Sequence, residues 1–380
     1  MAQGGDLFSV DACFGGGGVP MKIAQVMLSQ GFGGAERYYV DLCRALAGRG
    51  HSVLAVCRNG SVAHGELAKH AAIAVEPVRV LGAWDPLARR VIRRTVGRFG
   101  PDLVHTHMAR GAWLGGSAAR QLGLPVVTKL HNYVKLKYYR HIDWFNVTTR
   151  SQRDYLLSHG IEPERIRVIP NFSSFLPRDC VESKTDSQLK IWASFGRFVP
   201  KKGFDLLLRA FAGLLTEYPD ARLVLAGDGE EAERLKALAL NLGIGRSVEF
   251  PGWVTDIRGL LEQADVFVLP SRDEPFGIAI LEAMACGVPI VSTKTKGPLE
   301  ILGEPYAFMC EVDSMEDLMR AMRSAAGSPA ESRGRAQSAL TQYRETYFEG
   351  SVLPRVVDLY ADMLVAASVG RDGGKEPSSP

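Results

Sequence analysis

Asp265-Val266-Phe267-Val268-Leu269-Pro270-Ser271-Arg272-Asp273-Glu274-Pro275-Phe276-Gly277-Ile278-Ala279-Ile280-Leu281-Glu282-Ala283-Met284-Ala285-Cys286-Gly287-Val288-Pro289 is the stretch on which the reading of this chain turns. An unbroken apolar run, Val266 to Leu269, has the length and β-branched content of a buried strand. A polar loop follows, then Gly277 to Ala285 reads as a short helix that Gly287 and Pro289 bring to a stop. A further strand, Pro289 to Ser292, completes a strand-helix-strand unit of the kind that builds parallel sheets. The first N–H groups of such a helix lack intrahelical partners and, with the helix dipole, favour a phosphate. Glu274 stands just ahead of the helix and Glu282 within it. Two carboxylates so placed can accept hydrogen bonds from hydroxyls on either side of a bound phosphate, the groups a sugar nucleotide carries.

The same alternation extends in both directions. Before the unit, strands are expected at Lys190–Phe195, Arg222–Ala226 and Val248–Phe250. In the first half they fall at Ile23–Leu28, Ser52–Cys57, Leu103–Thr106 and Pro125–Leu130, with a helix from Ala35 to Gly48. Two α/β domains of doubly wound, Rossmann-like type follow, residues 21–175 and 189–345, joined by a polar linker at 176–188. Ligands of such sheets bind beyond the carboxyl ends of the strands, so two facing domains share a cleft there. Residues 1–20, rich in glycine, are expected to be disordered, with Met21 as the natural start, as is the tail 370–380. Tyr347 to Val365 has a helical apolar pattern, placed at 346–369.

With 380 residues, 46% apolar and 23% charged, the composition is that of an ordinary globular chain of two domains. No window approaches the roughly 18 to 20 unbroken apolar residues of a membrane span, and the first 20 residues lack a secretory pattern. The six cysteines form no Cys-x-x-Cys pair, which suggests neither a zinc site nor a disulfide framework and fits a reduced, cytoplasmic compartment.

The segment Pro-Ser-x-x-Glu-Pro-Phe-Gly, the Glu274-x7-Glu282 spacing and Ala-Met-Ala-Cys-Gly-Val-Pro together resemble the signature of retaining glycosyltransferases of the GT-B fold, in glycosyltransferase family 4. The resemblance extends from Lys22 to about Leu364 and implies two facing domains with a final helix crossing back onto the first. It implies that Glu274 binds hydroxyls of the transferred sugar, Glu282 the ribose, and Phe276 and Gly277 the diphosphate through backbone amides. Gly196-Arg197-Phe198-Val199-Pro200-Lys201-Lys202-Gly203 resembles the family's Gly-Arg-x-x-x-x-Lys-Gly segment, making Arg197 and Lys202 the anion clamp. Preplaced cations of this kind stabilise the charge that builds on a departing diphosphate. Val254, or its neighbour Trp253, is expected in the base pocket, Gly34 against the donor phosphate, and His131 near the donor sugar or acceptor. The match departs at Asn132, where the family commonly has aspartate or glycine. The implied donor is a nucleoside diphosphate sugar, UDP- or GDP-linked, with no cofactor. No Asp-x-Asp pair is present, so chemistry without a metal is expected.

Between residues 21 and 175 the chain has 22 Lys and Arg against 10 Asp and Glu, although its net charge is only +3. The excess gathers in Arg89–Arg98 and in Lys129–Arg140, where Lys135, Lys137 and Arg140 alternate with Tyr133, Tyr138 and Tyr139. Basic residues interleaved with aromatics suit an anionic membrane face, which leads us to expect peripheral docking and a glycan or lipid-linked acceptor in cell-surface polysaccharide or lipopolysaccharide synthesis. Nucleic acid is the weaker partner, because no recognition module accompanies the charge. A nicotinamide dehydrogenase would need the full dinucleotide fingerprint, which Gly227-Asp228-Gly229 lacks. The remaining alternative is a nucleotide-sugar-binding protein of the same fold without activity.

Overall fold

The computed structural model describes residues 19–82, 84–181 and 189–372. Most of the two expected disordered ends and of the linker therefore lies outside the described residues. Among the described residues thirteen strands form two wholly parallel sheets. The first contains β1 (Lys22–Met27), β2 (Ser52–Arg58), β3 (Ile73–Val78), β4 (Leu103–His107), β5 (Val126–Lys129), β6 (Trp144–Val147) and β7 (Ile166–Val168), in the order 3-2-1-4-5-6-7. The second contains β8 (Ile191–Phe195), β9 (Arg222–Ala226), β10 (Val248–Glu249), β11 (Val266–Leu269), β12 (Ile290–Thr293) and β13 (Phe308–Cys310), in the order 10-9-8-11-12-13. Both orders reverse direction beside the first strand, between β1 and β4 and between β8 and β11, the switch point where open parallel sheets bind ligands.

The strands legible as continuous apolar runs are those buried on both faces: β4, β5, β11 and β12 are buried at every position. The four that sequence patterning missed lie at or next to a sheet edge. β3 has exposed Ala74 and Pro77, and β7 and β13 are three residues long, so neither periodicity nor length marks them. The final helix corrects the expected boundary. Tyr343–Tyr347 winds as one π-type turn, and the α-helix proper runs from Glu349 to Asp372, the same length as 346–369 but starting and ending three residues later. No helix among the described residues is long and apolar enough to cross a membrane.

That helix leaves the second domain and packs Val352, Leu353, Val356, Leu359, Tyr360 and Met363 into the first domain's core, against residues such as Ile23, Tyr38 and Phe172. Burying six apolar side chains at about 1.5 to 3 kcal/mol each makes it an integral part of that domain. The two chain crossings are tied together: Tyr343 Oη reaches the carbonyls of Ser173 (2.9 Å) and Phe175 (2.7 Å), and Ser173 bridges to Phe348.

Candidate active site

Glu274, Arg197, Lys202, Gly34 and His131 stand on segments that follow the carboxyl ends of strands, and Glu282 on the helix behind one of them. β11 ends at Leu269, and the loop to the helix Ile278–Ala285 carries Glu274. Gly277 caps that helix at φ +106°, a conformation that favours glycine. The helix therefore begins one residue later than expected. Glu282 lies in its second turn and is 1% exposed.

β8 ends at Phe195 and leads through Gly196 and Arg197 to the turn Pro200–Lys202. Lys202 Nζ donates to Glu274 Oε2 at 2.5 Å, so two of the residues singled out from the sequence meet as a half-buried ion pair. Arg272, which sequence reasoning quoted without giving it a role, fastens the two loops. It makes a bidentate pair with Asp205 (2.7 and 3.0 Å), reaches Asp313 (2.7 Å), and donates to the Pro200 carbonyl at 2.9 Å. The Asp205 hydrogen bonds push its guanidinium pKa further up. Gly203 is forced by geometry: it has φ +67°, and a methyl group there would stand 2.1 Å from the Pro270 carbonyl oxygen.

The first lobe faces this arrangement through the turn before the helix Gly34–Gly48. A methyl group at Gly34 would lie 3.4 Å from Ile278 Cδ1, and one at Gly33 would lie 4.0 Å from Arg197 Nη2. The glycine turn thus abuts the start of the helix Ile278–Ala285 and the exposed Arg197 side chain. One turn into the helix, Arg37 forms an ion pair with Glu282 across the cleft. Burial lowers the Arg37 pKa and Asp41 opposes that shift. Glu282 Oε2 has no hydrogen-bond partner among the described residues. Arg37 was missed from the sequence because nothing local marks it: its partner is 245 residues away and on the other lobe.

A cavity of about 350 Å³ lies between the lobes, with Arg37, Asp41, Gly196, Trp253, Val254 and Glu282 in its lining. The volume is within the range of small-molecule sites. Of the expected residues, Glu282 and Val254 line it; Trp253, 53% exposed, lines it as well and is not core. Phe276 is buried, its side chain in the second domain's core, leaving its backbone to serve the loop. Gly297 makes room for that backbone: a methyl group there would stand 2.4 Å from Phe276 Cα, and Gly297 N donates to the Glu274 carbonyl at 2.9 Å.

His131 follows β5 and is 8% exposed. It packs edge-on against Tyr38 and lies 3.2 Å from His107, so the structure joins it to the first domain's interior rather than to Glu274 or Lys202. His105 and His107 are fully buried.

Comparison with known proteins bears directly on this geometry. A family model described as Glycosyl transferases group 1 matches residues 179–341, and one described as Glycosyltransferase Family 4 matches residues 32–172. The lipopolysaccharide core biosynthesis glycosyltransferase LpsE of Rhizobium meliloti (strain 1021) is 33% identical over 295 residues, 76% of this chain and 84% of the relative. The chain belongs to glycosyltransferase family 4. The lipopolysaccharide core biosynthesis glycosyltransferase LpsD of the same organism is 28% identical over 333 residues, 86% of this chain and 95% of that one. Among solved structures, Anabaena HepE in complex with UDP superposes with a TM-score of 0.78 at 21% identity, covering 90% of this chain and 100% of HepE. This family 4 chain therefore has the GT-B architecture that the motifs implied.

Proposed function

We propose that the protein transfers a hexose-like sugar from a UDP- or GDP-linked donor to a glycan or lipid-linked acceptor in lipopolysaccharide or related cell-surface polysaccharide synthesis, retaining the anomeric configuration and using no metal. The observation that supports this most is the Lys202–Glu274 pair, placed at the carboxyl edge of the second sheet beside the helix that bears Glu282. Arg197 and Lys202 would hold the diphosphate, Glu274 the sugar, Glu282 the ribose, and Trp253 with Val254 the base. Gly34 would meet the donor phosphate from the opposite lobe. The relatives named for lipopolysaccharide core biosynthesis support the acceptor class, and solved neighbours in complex with UDP and with UDP-glucose support the donor class.

In the reaction, the bond from the anomeric carbon to the donor phosphate breaks as the acceptor oxygen bonds to the same face, and the acceptor proton passes to the departing phosphate. The protein's part is positional and electrostatic: two cations facing the growing negative charge stabilise the transition state more than the bound donor. Cytoplasmic transfer onto a membrane-borne acceptor suits the first lobe's surface. The helix Pro86–Phe99 has exposed Leu87 and Val91 among five arginines, and Trp84, 61% exposed, packs edge-on against Trp113 beside Arg140.

The deciding experiment incubates the protein with UDP- and GDP-hexoses and a truncated lipopolysaccharide core acceptor, with and without excess chelator, and assigns the product's anomeric configuration by NMR. A product with the donor's configuration, formed equally with chelator, is expected. An inverted product, or activity that chelator abolishes and magnesium restores, rejects the corresponding part of the proposal. Absence of transfer with every donor, alongside donor binding, would favour the inactive binding protein.

A further inference from the structure

Arg272 stands where three loops at the carboxyl edge of the second sheet meet. It follows β11, and its side chain reaches the segment after β8 on one side and the turn after β13 on the other. Nη1 donates to the Pro200 carbonyl at 2.9 Å and, together with Nη2, to Asp205 at 2.7 and 3.0 Å. Nε donates to Asp313 at 2.7 Å. The backbone adds to the join, because the amides of Arg272 and Asp273 both donate to the Lys201 carbonyl, at 2.8 and 3.3 Å. Lys202 comes next in one of the joined loops and Glu274 in the other, so the fastened backbones bring these two side chains to their 2.5 Å contact.

The residue type fits the task. A planar guanidinium can send N–H groups in several fixed directions at once, to a fork of carboxylate oxygens, to a carbonyl and to a second carboxylate. A lysine ammonium, a single point with three donors, cannot span the same partners. Asp205 lies in the first turn of the helix Phe204–Leu214, so the fork anchors the loops to a rigid element. Asp313 has φ +61° and is one of two non-glycine residues with positive φ among the described residues. Backbone of that kind persists only where surrounding contacts hold it, and it gathers near functional sites.

We propose that Arg272 is a positioning residue for transfer: acting through Lys202 and Glu274 rather than on the substrate, its brace to Asp205 and Asp313 sets the distance and angle between that pair. A misplacement of about 1 Å at reacting or stabilising groups can cost about 10²-fold in rate. Charge on the departing phosphate grows only in the transition state, so a slack brace shows in kcat more than in donor affinity. The effect on transfer rests on the function proposed above; the hold on Lys202 does not.

Two variants of the full chain test this. Arg272→Lys keeps the charge and loses the fork, while Asp313→Gly keeps a left-handed turn and removes one exposed contact. Each is read by kcat, by donor KM, and by the rate of reductive methylation of Lys202 in mass spectrometry, with exposed Lys201 as internal reference. Arg272→Lys should lower kcat about tenfold or more, change donor KM less than about threefold, and raise Lys202 methylation severalfold relative to Lys201. Asp313→Gly should move kcat and methylation the same way and less far, with an unchanged melting temperature, since exposed ion pairs add little stability. In a Lys202→Ala background Arg272→Lys should cost little further kcat, because residues that act as a unit do not lose activity multiplicatively. A folded Arg272→Lys protein with wild-type kcat and Lys202 reactivity, or fully multiplicative losses, would overturn the inference. Should Arg272→Lys not fold, Asp313→Gly decides, and unchanged kcat with unchanged methylation would overturn it. Variants that expose Lys202 to methylation in a protein that transfers no sugar would remove the transferase reading and leave the brace; normal transfer by both variants would do the reverse.

Discussion

Arg37 on the first lobe holds Glu282 on the second in an ion pair across the cleft, and the carboxylate it engages is the one assigned to the donor ribose. In the proposed donor complex, ribose hydroxyls would compete with Arg37 for Glu282. Removing one partner of a buried pair costs about 3 to 5 kcal/mol, and because Arg37 is about one-third exposed, about 1 to 3 kcal/mol is expected here. Arg37→Gln should therefore lower the melting temperature of the free protein. Saturating UDP or GDP should narrow the gap to wild type, since ribose then partners Glu282. A gap unchanged by either nucleotide would show that ribose and Arg37 do not share this carboxylate.

The Lys202–Glu274 contact predicts strong coupling between two residues with different tasks. Lys202→Ala and Glu274→Gln should each reduce kcat/KM by about 10²-fold or more. The double variant should lose much less than the product of the two, because residues in contact act as a unit. Fully multiplicative losses would mean that the pair is not part of one donor site.

Gly297 is the residue whose substitution most directly tests the Phe276–Gly277 loop. A methyl group there meets Phe276 backbone atoms at 2.3 to 2.5 Å, which a flexible side chain could relieve but a backbone cannot. Gly297→Ala should cost about 1 to 3 kcal/mol of stability by overpacking and weaken donor binding in a thermal-shift titration. Unchanged donor affinity would separate this loop from the diphosphate.

Stability should fall steeply on mild acidification. His105, His107 and His131 all have lowered pKa values in the folded protein, because burial disfavours the charged ring, and His107 is held to about 3. Below about pH 6.5 the unfolded chain takes up protons that the folded protein refuses, so stability is present above that pH and is lost as pH falls. Each histidine contributes about 1.4 kcal/mol per pH unit in that window. Asp41, raised to about 6 by burial, works in the opposite sense between about pH 4 and 6, offsetting one of the three. Urea unfolding between pH 6.5 and 5 should show this net slope, and His107→Gln should flatten it. A slope below that of one group would contradict neutral burial of the trio.

Exposed Leu81, Trp84, Leu87 and Val91 beside Arg89, Arg90, Arg93 and Arg94 predict salt-sensitive flotation with vesicles containing anionic lipid. Trp84→Ala with Leu87→Ser should abolish it while leaving transfer to a water-soluble acceptor intact. Absence of wild-type flotation at low salt would remove the membrane from the proposal.

Local chemistry alone determined the two parallel α/β sheets, the loop-helix unit carrying Glu274 and Glu282, and the Arg197–Lys202 segment, because buried strands and glycine-bounded turns are written in consecutive residues. β3, β7 and β13 escaped notice because edge strands are short and only partly buried. What tertiary structure decided is which distant side chains meet. Arg37 reaches Glu282 only because the lobes face each other, and Gln25 reaches Tyr360 across 335 residues only because the last helix returns to the first sheet. A side chain's partner depends on how whole elements dock, and docking is driven by apolar faces that say nothing of the polar atoms they carry together. The sequence therefore named Glu274, Glu282, Arg197 and Lys202, while the partner of Glu282 and the burial of His131 emerged only from the packed molecule.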